Sequence, residues 1–145
     1  MTTVICILIL VYLVKGKNID TLLENVKNVD WKAKASEVYD KLHPYALKGG
    51  RVATKPLLQF YYVMQDEHTS TTERVMIYAA IIYTVSPVNL LPKAVYGLLG
   101  CLDEGAAVMF VYKKVKSKIT PEIDAKVNAT LDEWFGVEFE MAETH

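Results

Sequence analysis

Cysteine, histidine and surplus charge are all scarce in this chain, and each scarcity removes a class of function. Its 145 residues include two cysteines and three histidines. Cys6 and Cys101 both sit inside apolar runs. They form no disulfide framework, have no metal-ligand spacing and read as small buried hydrophobes. His43, His68 and His145 are scattered, and only His68 has acids beside it, Asp66 and Glu67. That loop reads as solvated, so no metal and no cofactor are expected. A net charge of −1 and a pI near 6.3 lack the basic surplus that general nucleic-acid binding requires. There is no internal repeat and no linker that suggests a second domain. A signal peptide is not expected either, because Met1-Thr2-Thr3 brings no basic start and Val14-Lys15-Gly16 no small-residue cleavage site.

Charge is also missing from the middle of the chain. Nothing is charged from Val75 through Pro92, and from Ala94 to Tyr112 the only charges are Asp103 and Glu104. Two apolar arms therefore meet at the turn Ser86-Pro87-Val88-Asn89-Leu90-Leu91-Pro92, and an acidic pair interrupts the second arm. With 52% apolar and 23% charged residues, the chain has enough apolar material for one buried core.

What is present reads as helix throughout. Val4–Val14 is continuously apolar. Fourteen helical residues reach about 21 Å, short of a bilayer core of roughly 30 Å. The segment stands equally as an anchor and as a core element. Asn18 caps a short helix carrying Ile19, Leu22, Leu23 and Val26. Asp30 caps a longer one, with Trp31, Ala35, Val38, Leu42 and Tyr45 or Ala46 at helical spacing. His43-Pro44 is expected to kink or end it, and Gly49-Gly50 to break it. Pro56 is expected in the first turn of the next helix, through Leu57, Phe60 and Met64. Ser70 and Glu73 form a capping-box pattern. The helix after them is apolar all round, so it must be buried in a bundle or in lipid. Ser86-Pro87 ends it, and Pro92 marks a restart. Gly100 suits a helix C-terminus and Asp103 an N-cap, with Glu104 in the first turn and Lys113, Lys114, Lys116 and Lys118 towards the end, as the helix dipole favours. Thr120-Pro121-Glu122 starts a last helix, striped by Ile123, Val127, Leu131 and Trp134 with Phe135 and closed by Gly136.

The pattern Tyr83-Thr84-Val85-Ser86-Pro87-Val88-Asn89-Leu90-Leu91-Pro92, followed by Gly100-Cys101-Leu102-Asp103-Glu104-Gly105-Ala106, resembles the YkvA family. These are small bacterial proteins of unknown function, and a related domain occurs in a membrane-bound eukaryotic ubiquitin ligase. The resemblance covers about Leu57 to Lys118 and implies membrane association through the two apolar arms. Asn89 stands where the family pattern has an aspartate, and Lys93 where it has an acid after the second proline. Two acids, an asparagine and a lysine make a weaker cation set than four carboxylates.

The expected fold is all-α: a small helical bundle around a central apolar hairpin, about residues 72–119, with an apolar N-terminal segment at 1–15. Residues 16–136 form one helical domain containing the YkvA-like region at 57–118, and 137–145 an acidic tail. Lysines at 15 and 17, Arg74 and the 113–118 block would all lie on the cytoplasmic side of a membrane. Against spanning, each acid at 103–104 would cost about 2.5–3.5 kcal/mol at a bilayer centre, and the prolines would expose backbone to lipid. The expected function is that of a membrane-associated, non-catalytic structural or interaction module with lipid as partner, its bulk facing the cytoplasm. Ser86, Asn89, Asp103 and Glu104 would be its binding residues, and Pro87, Pro92 and Gly100 its turn. A soluble, cytoplasmic helical bundle is the alternative, and cation binding at 103–104 a third possibility.

Overall fold

The computed structural model describes residues 2–14, 16, 18–85 and 104–136, without the side chains of 2–4, 7, 14 and 104–106. The described residues form helices α1 (Thr2–Val14), α2 (Asp20–Glu24), α3 (Trp31–Gln65), α4 (Thr71–Val85), α5 (Glu104–Val115) and α6 (Pro121–Phe135), with a 3-10 turn at Lys116–Lys118. No strand occurs among them, and the chain is an all-α bundle.

Helix α4 is the axis of the bundle. Every residue from Val75 to Tyr83 is buried, which leaves this segment no solvent face. Helices α1, α3 and α5 pack around it. That arrangement is the physical answer to a helix apolar on all sides, because protein takes the place lipid would otherwise fill. At fifteen residues α4 is about 22 Å long, below the roughly 30 Å of a bilayer core. No helix of the described residues is long and apolar enough to cross a membrane, so the expected transmembrane helix has no support there. Helix α1 lies in the core against α4, with Cys6, Ile9, Leu10 and Val11 buried. Burial pushes the Cys6 thiol up to about 12, offset in part by the charge of Lys34 and reinforced by that of Glu37, so it remains an inert thiol.

The start signals are realised in hydrogen bonds. Ser70 N–H donates to Glu73 Oε1 at 2.9 Å while Glu73 N–H donates to Ser70 Oγ at 3.2 Å, the reciprocal capping box. Asp30 accepts from the N–H groups of Lys32 and Ala33. Asn18 Oδ1 accepts from Asp20 N–H at 2.8 Å. Thr120 Oγ1 accepts from Ile123 N–H, with Pro121 in the first turn of α6.

Helix α3 departs from expectation at both prolines. It keeps helical geometry through Pro44 and breaks only at Gly50, whose φ of 81° and ψ of 176° lie outside the helical region. The second half restarts at once, so Pro56 falls in its second turn rather than its first. Each proline removes the donor for the carbonyl four residues earlier, at Asp40 and at Val52. Asp40 and Val52 are both exposed, so water can take the place of the lost donor. The break is sharp. Tyr39 and Tyr61 are 22 positions apart and would be about 33 Å apart along a straight helix, yet their ring centroids lie 5.4 Å apart. The two halves, 31–49 and 51–65, therefore fold back on each other. Trp134 of α6 joins this seam, 5.5 Å from Tyr39 and 4.9 Å from His43.

Candidate functional site

Ser86, Pro87, Asn89, Pro92, Gly100 and Asp103 lie outside the described residues, and so does Cys101. Glu104 opens α5, one position after the expected cap, but its side chain is not described. What the structure gives is the frame from which the 86–103 segment departs. That frame consists of α4 and α5, which pack against one another.

The polar side chains of α4 are engaged in holding this frame. Arg74 donates through Nε to the Met64 carbonyl at 3.1 Å and through Nη2 to the Asp66 carbonyl at 2.9 Å. A cation thereby satisfies carbonyls at the C-terminus of α3, where the helix dipole favours it. Thr69 Oγ1 donates to the Val63 carbonyl at 2.6 Å in the same corner. Lys118 Nζ reaches the His68 carbonyl at 2.6 Å and Glu73 Oε1 at 3.2 Å, locking the turn after α5 to the start of α4. Burial works to raise the Glu73 carboxyl, but the Ser70 N–H, Lys118 and the Ser70 hydroxyl outweigh it and hold the carboxyl below its ordinary value. Tyr78, wholly buried, donates to Glu37 Oε2 at 2.5 Å, lies edge-on to Trp31, and has Lys34 Nζ 5.5 Å from its ring centre. Thr84 Oγ1 donates back to the Ala80 carbonyl.

Two concavities flank the frame. A cleft of about 760 Å³ is lined by Trp31, Tyr39, Tyr61, Met64 and Arg74, among others, in the angle of the folded α3. Its aromatic walls come from the seam at Tyr39 and Tyr61. Burial raises the Tyr61 phenol above its ordinary value. Arg74 is already committed to backbone carbonyls there, and Asp30 to capping α3. The second concavity is a groove of about 300 Å³ with Thr84 from the end of α4, Val108 and Met109 from the first turns of α5, and Tyr45, Ala53, Pro56 and Leu57 from α3. Thr84 and Val108 stand close to the two ends of the 86–103 segment, so this apolar groove lies at the base of the predicted site. Around the Gly50 bend, Leu47 is 74% and Val52 89% exposed, and Met109 is 53% exposed.

The expected polar loop forms at Asp66–Thr69. His68 is exposed and its Nδ1 is 3.1 Å from Asp66 Oδ1. The backbone N–H of His68, then its ring, hold the Asp66 carboxyl below its usual range. No group of three or more potential ligands that could hold a metal occurs among the described residues.

The break expected at Gly49-Gly50 occurs at Gly50, but neither the folding back of the two halves of α3 nor the groove was anticipated from sequence. Leu47 and Val52, which fall off the Val38–Leu42–Ala46 stripe on either side of the two glycines, signalled exposed apolar positions at the bend but not the groove.

No curated protein and no solved structure matches the chain. A family profile described as a protein of unknown function, DUF1232, matches residues 73–110, which run from the capping box of α4 to Phe110 in α5. The hairpin at the centre of the bundle is thus similar to an uncharacterised domain family.

Proposed function

We propose that this chain is a YkvA-like, non-catalytic interaction module that acts at a membrane surface, its bulk on the cytoplasmic side. It touches the bilayer peripherally, with the end of the bundle that carries the Gly50 bend. The observation that carries this reading is the exposure of Leu47 and Val52 on either side of the Gly50 bend and of Met109, which lines the apolar groove. Two of them have a lysine on the same helix face, Lys55 three residues beyond Val52 and Lys113 four residues beyond Met109, and Lys48 is adjacent to Leu47 in sequence. Apolar side chains rimmed by cations suit an anionic lipid surface. Full burial of such a side chain contributes roughly 1.5–3 kcal/mol, and each lysine about 1 kcal/mol near anionic headgroups. Ser86, Asn89, Asp103 and Glu104 belong to the segment that leaves this end and are the proposed recognition residues.

The packing of α1 along α4 favours the second reading, a soluble bundle that needs no lipid. Sedimentation with phosphatidylserine-containing vesicles separates the two. The full chain is expected to co-sediment with these vesicles and not with pure phosphatidylcholine. A Leu47→Glu, Met109→Glu double variant alters only exposed positions and should weaken binding by about tenfold or more. A chain that stays in the supernatant, or a double variant that binds as wild type does, would sink the membrane reading.

A further inference from the structure

We propose that the pocket between the second half of α3, α5 and α6 is an anion site that takes a phosphate or phosphate ester. This goes beyond the membrane reading and does not rest on it. The pocket encloses about 560 Å³ and is lined by Arg51, Lys55, Gln59, Tyr112, Asn128 and Leu131, with Val52 and Pro56 at its edge.

Arg51 is the first residue after the Gly50 bend. Its Nη2 pairs with Asp132 Oδ1 at 2.8 Å. Its Nη1 is buried and has no acceptor among the described residues. A buried guanidinium nitrogen without an acceptor is costly, and native structures rarely leave one so. Lys55 stands four residues on, and Gln59 four further, so the three form one stripe facing the pocket. Two cations at that spacing repel one another unless an anion lies between them. Asp132 offsets one of the two charges. Gln59 Nε2 is committed to Asp124 Oδ1 at 3.0 Å, which brings a second carboxylate to the wall of the pocket. The side chains of Lys55, Asn128 and Tyr112 make no hydrogen bond or ion pair to another described residue.

The pocket therefore gathers the Arg51 side chain, whose Nη1 lacks an acceptor, with an ammonium, a carboxamide N–H and a phenol O–H, while Asp132 and Asp124 are held by Arg51 and Gln59 at its wall. A planar guanidinium fork with a mobile ammonium is the donor set suited to a tetrahedral oxyanion. Neutral donors complete its coordination without overcharging the site. The volume exceeds that of phosphate alone and leaves room for an organic substituent.

The test is a titration of inorganic phosphate into the full chain, followed by amide and side-chain NMR, with sodium chloride at matched ionic strength as the control. Saturable shifts at the Asn128 carboxamide and the Arg51 guanidinium are expected with phosphate and not with chloride. Lys55→Gln and Asn128→Asp change exposed side chains and leave the Arg51–Asp132 pair intact. Each should weaken phosphate binding by about tenfold. Shifts that rise linearly and match those in chloride would overturn the proposal, as would saturable binding that both variants leave unchanged. Vesicles containing phosphatidic acid then identify the source. If Asn128→Asp, which lies outside the membrane-facing set, weakens phosphate and vesicle binding together, the ligand is a lipid headgroup. If it weakens phosphate binding alone, the ligand is a soluble phosphate ester, and the anion site stands in both cases. Failure of the phosphate titration leaves the vesicle result for Leu47 and Met109 untouched, so the two readings fail separately.

Discussion

Replacing Gly50 with alanine tests the break that Gly49-Gly50 marks in the sequence and the doubling back of α3 that the structure adds to it. Gly50 has φ 81° and ψ 176°, a region that residues with a Cβ almost never enter. A Cβ built at Gly50 would meet nothing within 4 Å, so the substitution creates no steric contact. Its cost is backbone strain alone, about 1–3 kcal/mol. The chain is not expected to escape that cost by straightening. A straight α3 would forfeit the Tyr39–Tyr61 contact and the Arg51–Asp132 pair and would uncover the buried face of its second half, Leu57 to Phe60. For a chain of this size each kcal/mol moves the melting temperature by roughly 2–4 °C, which gives a loss of about 2–12 °C. Thermal melts followed by circular dichroism provide the measurement, with Gly49→Ala as the comparison. Gly49 has helical dihedrals, and its new Cβ would lie 3.0 Å from Cε1 of the half-buried Tyr45. There the helix-propensity gain of up to about 1 kcal/mol competes with a shift of one ring. Gly50→Ala should therefore be the more damaging of the two. Equal melting temperatures for wild type and Gly50→Ala, or a gain in helicity with separation of the Tyr39 and Tyr61 rings, would refute the argument.

Two further outcomes follow from the corner between α3 and α4 and from the buried tyrosine. Glu73 and Asp66 both have carboxyls held below their ordinary values of 4.5 and 3.8. A depressed folded value means the contribution is present above the unfolded value and is lost as pH falls through the folded one. Urea midpoints should thus be flat near neutrality and decline as the pH falls below about 4.5, and Glu73→Gln should flatten part of that decline; parallel curves for the two proteins would contradict it. Tyr78→Phe removes the donor to Glu37, whose side chain keeps 38% of its exposure and can turn to water. The expected loss is about 1.5–2 kcal/mol in urea unfolding, the lower part of the range for a bond to a charged group. An unchanged midpoint would show that the bond adds nothing to stability.

Local signals in this chain are unusually faithful, and the reason is proximity. Ser70 with Glu73, Asp30 with the N–H groups behind it, and Thr120 before Pro121 each complete their hydrogen bonds within three residues. No distant partner is needed, so tertiary packing has little to override. The apolar helix after Thr71 is equally transparent, since a segment without a polar face must be covered. Sequence could not say by what. Lipid and protein are equivalent coverings for Val75–Tyr83, and only the placement of α1, α3 and α5 around them decides for protein.

The candidate site divides along the same line. The turn Ser86–Pro92 and the acids at 103–104 are marked by sequence alone, through punctuation and misplaced polarity. The groove at their base and the Arg51–Lys55 pocket are not, because each gathers residues from three helices. Residues as far apart as Lys55 and Asn128, or Tyr45 and Met109, become neighbours only after α3 has folded back on itself.

Sequence by itself thus determined the class of fold, the helix starts at Asp30, Ser70 and Thr120, and the buried character of α4. Sequence also marked the break at Gly49-Gly50, while tertiary structure decided that the two halves fold back on each other there and that neither proline ends a helix. A proline lacks a donor wherever it stands, and whether the helix breaks depends on what the orphaned carbonyl meets. At Pro44 and Pro56 that carbonyl belongs to an exposed residue within reach of water, and the helix runs on. At Gly50 the backbone takes a conformation open to glycine, and the Tyr39–Tyr61 seam and the Arg51–Asp132 pair hold it there.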